Sequence, residues 1–372
     1  MKIFAEARKS NWKTCSYGLG RMGTRLGRKL LEWLKLEPDF YCDKNSEVLE
    51  RYPVTKDKKI FLDDLMRIKE DVLVLVFIGA EHSNNVKQEL EKNKYLHVLT
   101  CQQLINDDEI IREYFGIGQL LYYHEEEKHI DKKKKLTNKK TGKVAIYTCI
   151  TNEYDQLNQP LCIEENCDYF FITDSKSAGQ LLPSSVYQRI DIEKVVPPEV
   201  VSPKDQNRYC KSHGYEIFKE YDYSIYLDGS IQIVKPILPL IERIGEVGVA
   251  FHKHPYAEDL YAEALSLSIR SRITKKEADE TIKWFWNSGM PRFYGMVECG
   301  VILCNHHSPI AGRLLDNWFE NYFNGAAKRD QMYMAFSLWE LGIPVSEVRV
   351  LPGNLRTNGY FRLMAEHTGY QR

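Results

Sequence analysis

No two cysteines in this chain stand in a Cys-x-x-Cys pair; the nine are scattered, and the closest are Cys162 with Cys167 and Cys299 with Cys304. That pattern excludes zinc-ribbon spacing and a dithiol redox motif, and it predicts reduced thiols in a cytoplasmic protein. Charge of one sign is not in excess either, with 51 basic against 52 acidic residues. A strongly basic nucleic-acid binder is therefore excluded as a reading of the whole chain, and no nucleic-acid partner is expected. No run approaches the roughly 18 consecutive apolar residues of a spanning helix. The opening residues Met1 to Arg8 lack the apolar core of a signal peptide. These absences predict a soluble protein.

What is present divides into two parts. At 372 residues the chain is long enough for two domains, and 23 tyrosines supply rings for cores or for stacking on ligands. The first part, residues 1–125, reads as a small Rossmann-like α/β domain. A short strand, Lys13 to Tyr17, leads into Gly18-Leu19-Gly20-Arg21-Met22-Gly23, and an amphipathic helix follows with Leu26, Leu30, Leu31 and Leu34 on one face. A second strand, Asp39 to Cys42, ends on Asp43, and Val72 to Ile78 is an apolar run typical of a buried parallel strand. Gly18, Gly20, Gly23 and Asp43 have the order and spacing of a dinucleotide-binding turn with its ribose-binding acid. The same glycines also serve simply to pack a helix on a sheet. No Tyr-x-x-x-Lys pair or other hydride-transfer apparatus accompanies them, so NAD(P) is not expected here. The part resembles the accessory modules of bacterial polysaccharide-biosynthesis proteins.

Residues 126–142 read as a charged linker: Glu125, Glu126 and Glu127 are followed by Lys128, Lys132 to Lys135, Lys139 and Lys140. The alternative is contact with anionic lipid, which places the protein peripherally at the inner membrane face.

The second part, residues 143–372, opens with the strand Val144 to Ile150 and a polar loop containing Tyr154 and Asp155. A second strand, Tyr169 to Thr173, ends on Asp174. Two strands ending on polar residues build the rim of a ligand crevice; the alternative for Asp174 is a helix cap or turn. The stretch from Lys219 to Ile233 reads as a buried strand ending on Asp228-Gly229-Ser230. A carboxylate at the carboxyl end of such a strand suits a hard cation bridging phosphates. The competing reading is an Asp-Gly hairpin turn. Arg208 and Lys211, three apart on a preceding helix, share a face, as a diphosphate leaving group requires, or else line a solvent-exposed one. His252 and His254 are two apart on an extended segment, suited to a metal, to sugar hydroxyls, or to a polar loop.

From 143 to 341 the order of motifs resembles a glycosyltransferase-like family, once known as a domain of unknown function, with plant mucilage- and pollen-related Golgi proteins and bacterial relatives. The carrying residues are Ala145 to Asp155, Tyr169 to Asp174, Asn207 to His213, Tyr223 to Ser230, His254-Pro255-Tyr256 with Glu263, and Arg329-Asp330-Gln331. The resemblance implies a GT-A-like mixed-sheet domain that binds a nucleotide sugar. Thr148, Tyr154, Asp155, Asp174, Arg208, Lys211, His254, Asn305 and Arg329 would face the donor, and Asp330, Gln331 and Glu298 would serve catalysis. Asp228, Ser230 and, from the tail, His367 would hold Mn²⁺ or Mg²⁺. Such enzymes commonly carry Asp-x-Asp where this chain has Asp228-Gly229-Ser230, so the metal would lean on water and diphosphate. The expected function is sugar transfer to a hydroxyl of a glycan or lipid-linked acceptor in bacterial surface polysaccharide or glycoconjugate synthesis. The rivals are an oxidoreductase or epimerase led by the glycine turn, and a non-catalytic glycan- or partner-binding module.

Overall fold

The computed structural model describes residues 2–124 and 142–364. Nearly all of the charge block and His367 therefore lie outside the described residues. The chain forms two compact units, Met1–Leu120 with Tyr261–Ser288, and Leu121–Leu260 with Gly289–Arg372. Among the described residues no helix is long and apolar enough to cross a membrane.

The first unit is a parallel sheet of four strands, β1 (Lys13–Tyr17), β2 (Phe40–Cys42), β3 (Val72–Val76) and β4 (Leu96–Thr100), in the order β2-β1-β3-β4. That is the flavodoxin-type order of a doubly wound sheet, the second of the two common ones. Every residue of β3 is buried, as a central strand covered on both faces requires. The helix Lys275–Asn287 starts with a capping box, the Thr274 hydroxyl accepting from the Glu277 N–H and the Glu277 carboxylate from the Thr274 N–H. This helix and Leu260–Ile269 were expected with the second part of the chain, yet their contacts lie in the first unit. Tyr114 and Ser268 share a hydroxyl hydrogen bond at 2.7 Å, and the Trp286 indole donates to the Gln119 carbonyl at 2.9 Å. Ile282 and Phe285 are fully buried, so this face of the helix packs as core.

The second unit holds a six-stranded mixed sheet made of β5 (Val144–Ile150), β6 (Cys167–Thr173), β7 (Tyr187–Asp191), β8 (Tyr223–Leu227), β10 (Val249–Lys253) and β11 (Val297–Asn305). The order is β10-β11-β8-β5-β6-β7. Strands β5 to β8 run parallel, while β11 lies antiparallel to β8 and to β10. A small second sheet pairs β9 (Ile231–Ile233) with β12 (Phe361–Leu363). One face of the large sheet carries Val144, Ile146, Ile150, Ile225, Leu227, Val301 and Leu303 into a single apolar core. Each such side chain contributes about 1.5–3 kcal/mol by leaving water. The opposite face meets the helix Pro203–Ser212, where the Tyr147 hydroxyl donates to the Cys210 carbonyl at 3.1 Å. That helix begins where sequence rules put it, on a Ser202 cap that accepts from the Asp205 N–H, with Pro203 in the first turn.

The glycine turn of the first unit is built for close packing. Gly18 has φ +87°, and a methyl group on Gly23 would lie 2.0 Å from the Gly18 carbonyl oxygen, whereas nothing lies within 4 Å of one on Gly20. Gly23→Ala is expected to destabilise the protein by about 1–3 kcal/mol, and Gly20→Ala by less than about 0.5 kcal/mol. Urea unfolding of the two variants checks the contrast.

Candidate active site at the carboxyl edge of the mixed sheet

Parallel strands deliver their following loops to one edge of a sheet, and the charged groups of the second unit gather there. Asp228 follows the last residue of β8; its N–H donates to the Gly300 carbonyl at 2.8 Å, and the Ile231 N–H closes a turn on the Asp228 carbonyl at 2.9 Å. The turn is not a hairpin, because β8 pairs with β5 and β11 whereas β9 pairs with β12. The chain crosses from one sheet to the other at this point. Gly229 is required by close approach: a side chain there would meet Asp155 Cβ at 2.8 Å and Ile150 Cγ1 at 2.9 Å.

Lys211 lies at the centre. Only 3% exposed, it brings its ammonium 3.0 Å from Asp228 Oδ1 and 2.9 Å from Asp330 Oδ2. Arg208, one turn earlier on the same helix face, places Nε 3.1 Å from the same Asp330 oxygen, and its guanidinium also donates to the Asn207 side chain. Asn207 in turn donates to the Cys149 carbonyl of β5 at 2.6 Å. The Tyr226 hydroxyl donates to Asp228 Oδ1 at 3.0 Å. Tyr226 escaped the sequence reading, although its position two before Asp228 puts both on one side of the strand. Burial alone would raise the Asp330 carboxyl, but Arg208 and then Lys211 override it and hold the carboxyl far below the ordinary range. Burial would likewise lower the Lys211 ammonium, and Asp228 and Asp330 more than offset it. Asp330 therefore stays ionised, and it is expected to fix the two cations rather than to accept a proton.

Around this cluster the expected residues divide. Asp155 packs on the Asp228 turn. Tyr154 is 41% exposed, on a turn whose central residues, Asn152 and Glu153, both have φ +53°. That left-handed pair, closed by the Tyr154 N–H on the Thr151 carbonyl, stores strain of the kind found at ligand loops. Arg329 and Gln331 flank Asp330 at the start of the helix Asp330–Glu340. Glu298 stands near the start of β11 at the same edge, but both its oxygens hold the tail, Oε2 accepting from the Leu355 N–H at 2.9 Å and Oε1 from Arg356 at 3.0 Å.

Other expectations are corrected. Asn305 was placed at the crevice because it ends its strand, yet β11 runs antiparallel and pairs Asn305 with Tyr223, at the opposite edge from Asp228. Thr148 alternates with Tyr147 and so lies on the core face with Ile146 and Ile150, away from Arg208 and Lys211; its buried hydroxyl has no partner among the described residues. Asp174 is occupied as a turn-former, accepting from the Asn152 N–H at 2.7 Å and the Ser177 N–H at 2.9 Å. His254 accepts from the Ala257 N–H at 2.8 Å and organises its own loop. Glu263 falls in the first unit, 3.8 Å from Arg270. In that unit Asp43 accepts from the Leu19 N–H at 2.7 Å through Oδ2, which ties the glycine turn to the end of β2, and from the Asn45 N–H at 2.9 Å through Oδ1, which closes its own loop.

Among the described residues the donor set does not fit a divalent metal. Asp228 Oδ1 already accepts from an ammonium and a phenol, and Ser230 offers a hydroxyl where Asp-x-Asp would put a second carboxylate. Among the described residues no group of three His, Cys, Asp or Glu side chains could hold an ion. Unit charges 4 Å apart repel by about 4 kcal/mol at an effective dielectric of 20, and a doubly charged ion beside Lys211 by about twice that.

Two predictions follow from these contacts. Asp330→Ala leaves Lys211 with Asp228 alone and takes from Arg208 its carboxylate partner, and is expected to cost about 3–5 kcal/mol. Asp228→Ala, whose side chain is 35% exposed, should cost no more than about 1–2 kcal/mol, as read from denaturant unfolding. His252, fully buried against the tail with Nδ1 on the Pro352 carbonyl at 3.1 Å, is pushed down to about 4 by burial. Because the unfolded chain binds this proton first, stability should fall as pH drops from about 6.5 to about 4, by on the order of 3 kcal/mol. His252→Asn should flatten that slope.

Residues 122–352 match the TOD1/MUCI70 glycosyltransferase-like domain. Among curated proteins none matches this chain. Similar solved structures include mouse xyloside xylosyltransferase 1 in its apo form, at 15% identity, covering 54% of this chain and 83% of that one, with a TM-score of 0.36. The WbbM bifunctional glycosyltransferase apo structure is 14% identical over 57% of this chain and 39% of that one, with a TM-score of 0.35. The galactosyltransferase LgtC, in complex with donor and acceptor sugar analogs, is 14% identical over 52% of this chain and 69% of that one, with a TM-score of 0.30.

Proposed function

Because the chain belongs to the TOD1/MUCI70 glycosyltransferase-like family, which matches more than half of its length, we propose that it transfers a sugar from a nucleotide-diphosphate sugar to an acceptor hydroxyl. The observation that carries this reading is the pair of cations, Arg208 and Lys211, held together at the edge of the sheet beside Asp228. In such a transfer the bond from sugar C1 to the diphosphate oxygen breaks, and its electron pair stays on the phosphate. The acceptor oxygen bonds C1, and one proton is released with the nucleoside diphosphate. Negative charge grows on the leaving phosphate, and fixed positive groups aimed at it lower the barrier. Arg208 and Lys211 have that charge; Asp330 and Asn207 fix where it sits. The exposed Tyr154 offers a ring for the base, and Asp155 a carboxylate beside it.

The acceptor in this reading is a glycan or lipid-linked hydroxyl, of the kind handled in bacterial surface polysaccharide or glycoconjugate synthesis. The working place is the cytoplasm or its membrane face, a setting supported by nine cysteines that are all free and mostly buried.

Incubation with UDP- and GDP-sugars, followed by release of the free nucleotide, tests the reading. One or more donors should be consumed, and Arg208→Ala or Lys211→Ala should lower kcat/KM by about 10²–10³-fold. If no nucleotide sugar is hydrolysed or transferred under any condition, the activity is not glycosyl transfer.

A further inference from the structure

A diphosphate that leaves a sugar needs positive charge, and at this edge the position beside the strand-ending aspartate is already taken by one. The Lys211 ammonium lies 3.0 Å from Asp228 Oδ1, and the Tyr226 hydroxyl donates to that same oxygen at 3.0 Å. An oxygen that accepts from both has its lone pairs occupied. The second oxygen, Oδ2, is pressed toward β11, 3.3 Å from where a side chain on Gly300 would begin. Lys211 cannot move away without cost, since it is only 3% exposed and also held 2.9 Å from Asp330. Its ammonium carries three N–H donors, of which one goes to Asp228, while the contact with Asp330 is an ion pair without a hydrogen bond. Arg208 pairs its Nε with Asp330 by charge, without a hydrogen bond, and donates one terminal nitrogen to Asn207, which leaves the other terminal nitrogen without a partner among the described residues. Both are held by carboxylates, Asp330 buried and Asp228 half-buried, and belong to a helix whose first turn is capped and whose Tyr209 and Cys210 carbonyls are bonded in turn.

We infer that this protein binds the diphosphate of its nucleotide directly on Lys211 and Arg208, with no divalent cation between protein and phosphate. The inference deepens the proposed function and rests on it. Asp228 then acts as the ammonium's counter-ion in the empty site and a positioning residue in the filled one. The chemistry recognised is a nucleoside diphosphate, and the fixed organic cations perform the charge neutralisation that a metal would otherwise supply.

The test uses the full chain with UDP and with GDP as probes, affinity being measured by calorimetry in EDTA and again in Mn²⁺. The expected result is binding in EDTA, with a dissociation constant within about threefold of that in Mn²⁺, and transfer that survives EDTA. Binding tenfold or more tighter with Mn²⁺, or seen only with it, overturns the inference while leaving the transferase reading standing. Binding of neither nucleotide in either condition overturns both. A second arm uses Lys211→Ala, with its fold checked by circular dichroism. This variant should lose at least tenfold in affinity in EDTA and recover part of it in Mn²⁺, because Asp228 is released to bind the ion. Loss that Mn²⁺ does not restore at all means the lysine was not occupying a cation's place. Should the variant not fold, the wild-type comparison in EDTA and Mn²⁺ still decides.

Discussion

An ammonium group almost wholly out of water stays charged only where carboxylates surround it. Lys211 meets that condition with two, Asp228 from the end of β8 and Asp330 from the first turn of a helix more than a hundred residues later. The contact joins three elements at one point, the helix Pro203–Ser212, the strand edge and the helix Asp330–Glu340. An ion-pair cluster of this kind adds little to net stability beyond what an apolar replacement would supply, but losing one member leaves a buried charge uncompensated. Its value is positional. It holds two cations at fixed places at the carboxyl edge of the sheet, and preorganised charge of that kind is what stabilises a leaving anion.

Around that point small residues and strained turns make room. Gly229 lets the loop after β5 press Asp155 against the Asp228 turn, and Gly300 lets Asp228 lie close to β11. The tail is clasped to the same edge by Glu298 and by His252, whose ring nitrogen meets the Pro352 carbonyl. Glu298, expected in catalysis, thus clasps the tail, and Asp174, expected at the donor or in a turn, holds the turn. The first unit repeats the theme: its Gly18 and Gly23 allow close packing, and Asp43 secures the turn they form.

Local periodicity made much of this legible. The buried runs of β3, β5 and β8, the Ser202-Pro203 start of the central helix and the shared face of Arg208 and Lys211 all follow from spacings of two, three or four residues. Asp228 at a strand end, and the order of short motifs that marks the family, are also properties of the linear chain. Tyr226 was equally within reach, two residues before Asp228.

What the linear chain could not contain is strand direction, strand pairing and partner choice. Because β11 runs antiparallel, its first residues rather than its last reach the site, which brings Glu298 in and leaves Asn305 out. The side of the sheet that Thr148 faces depends on which face the central helix covers. That helices Leu260–Ile269 and Lys275–Asn287 belong with the first unit depends on contacts across long stretches of chain. Strand, helix and motif identity arise from neighbours a few residues apart, so residue order alone determined them. Whether a given carboxylate holds a cation, a loop or a tail is decided by groups as far as more than a hundred residues away, and only the packed structure brings them within 3 Å.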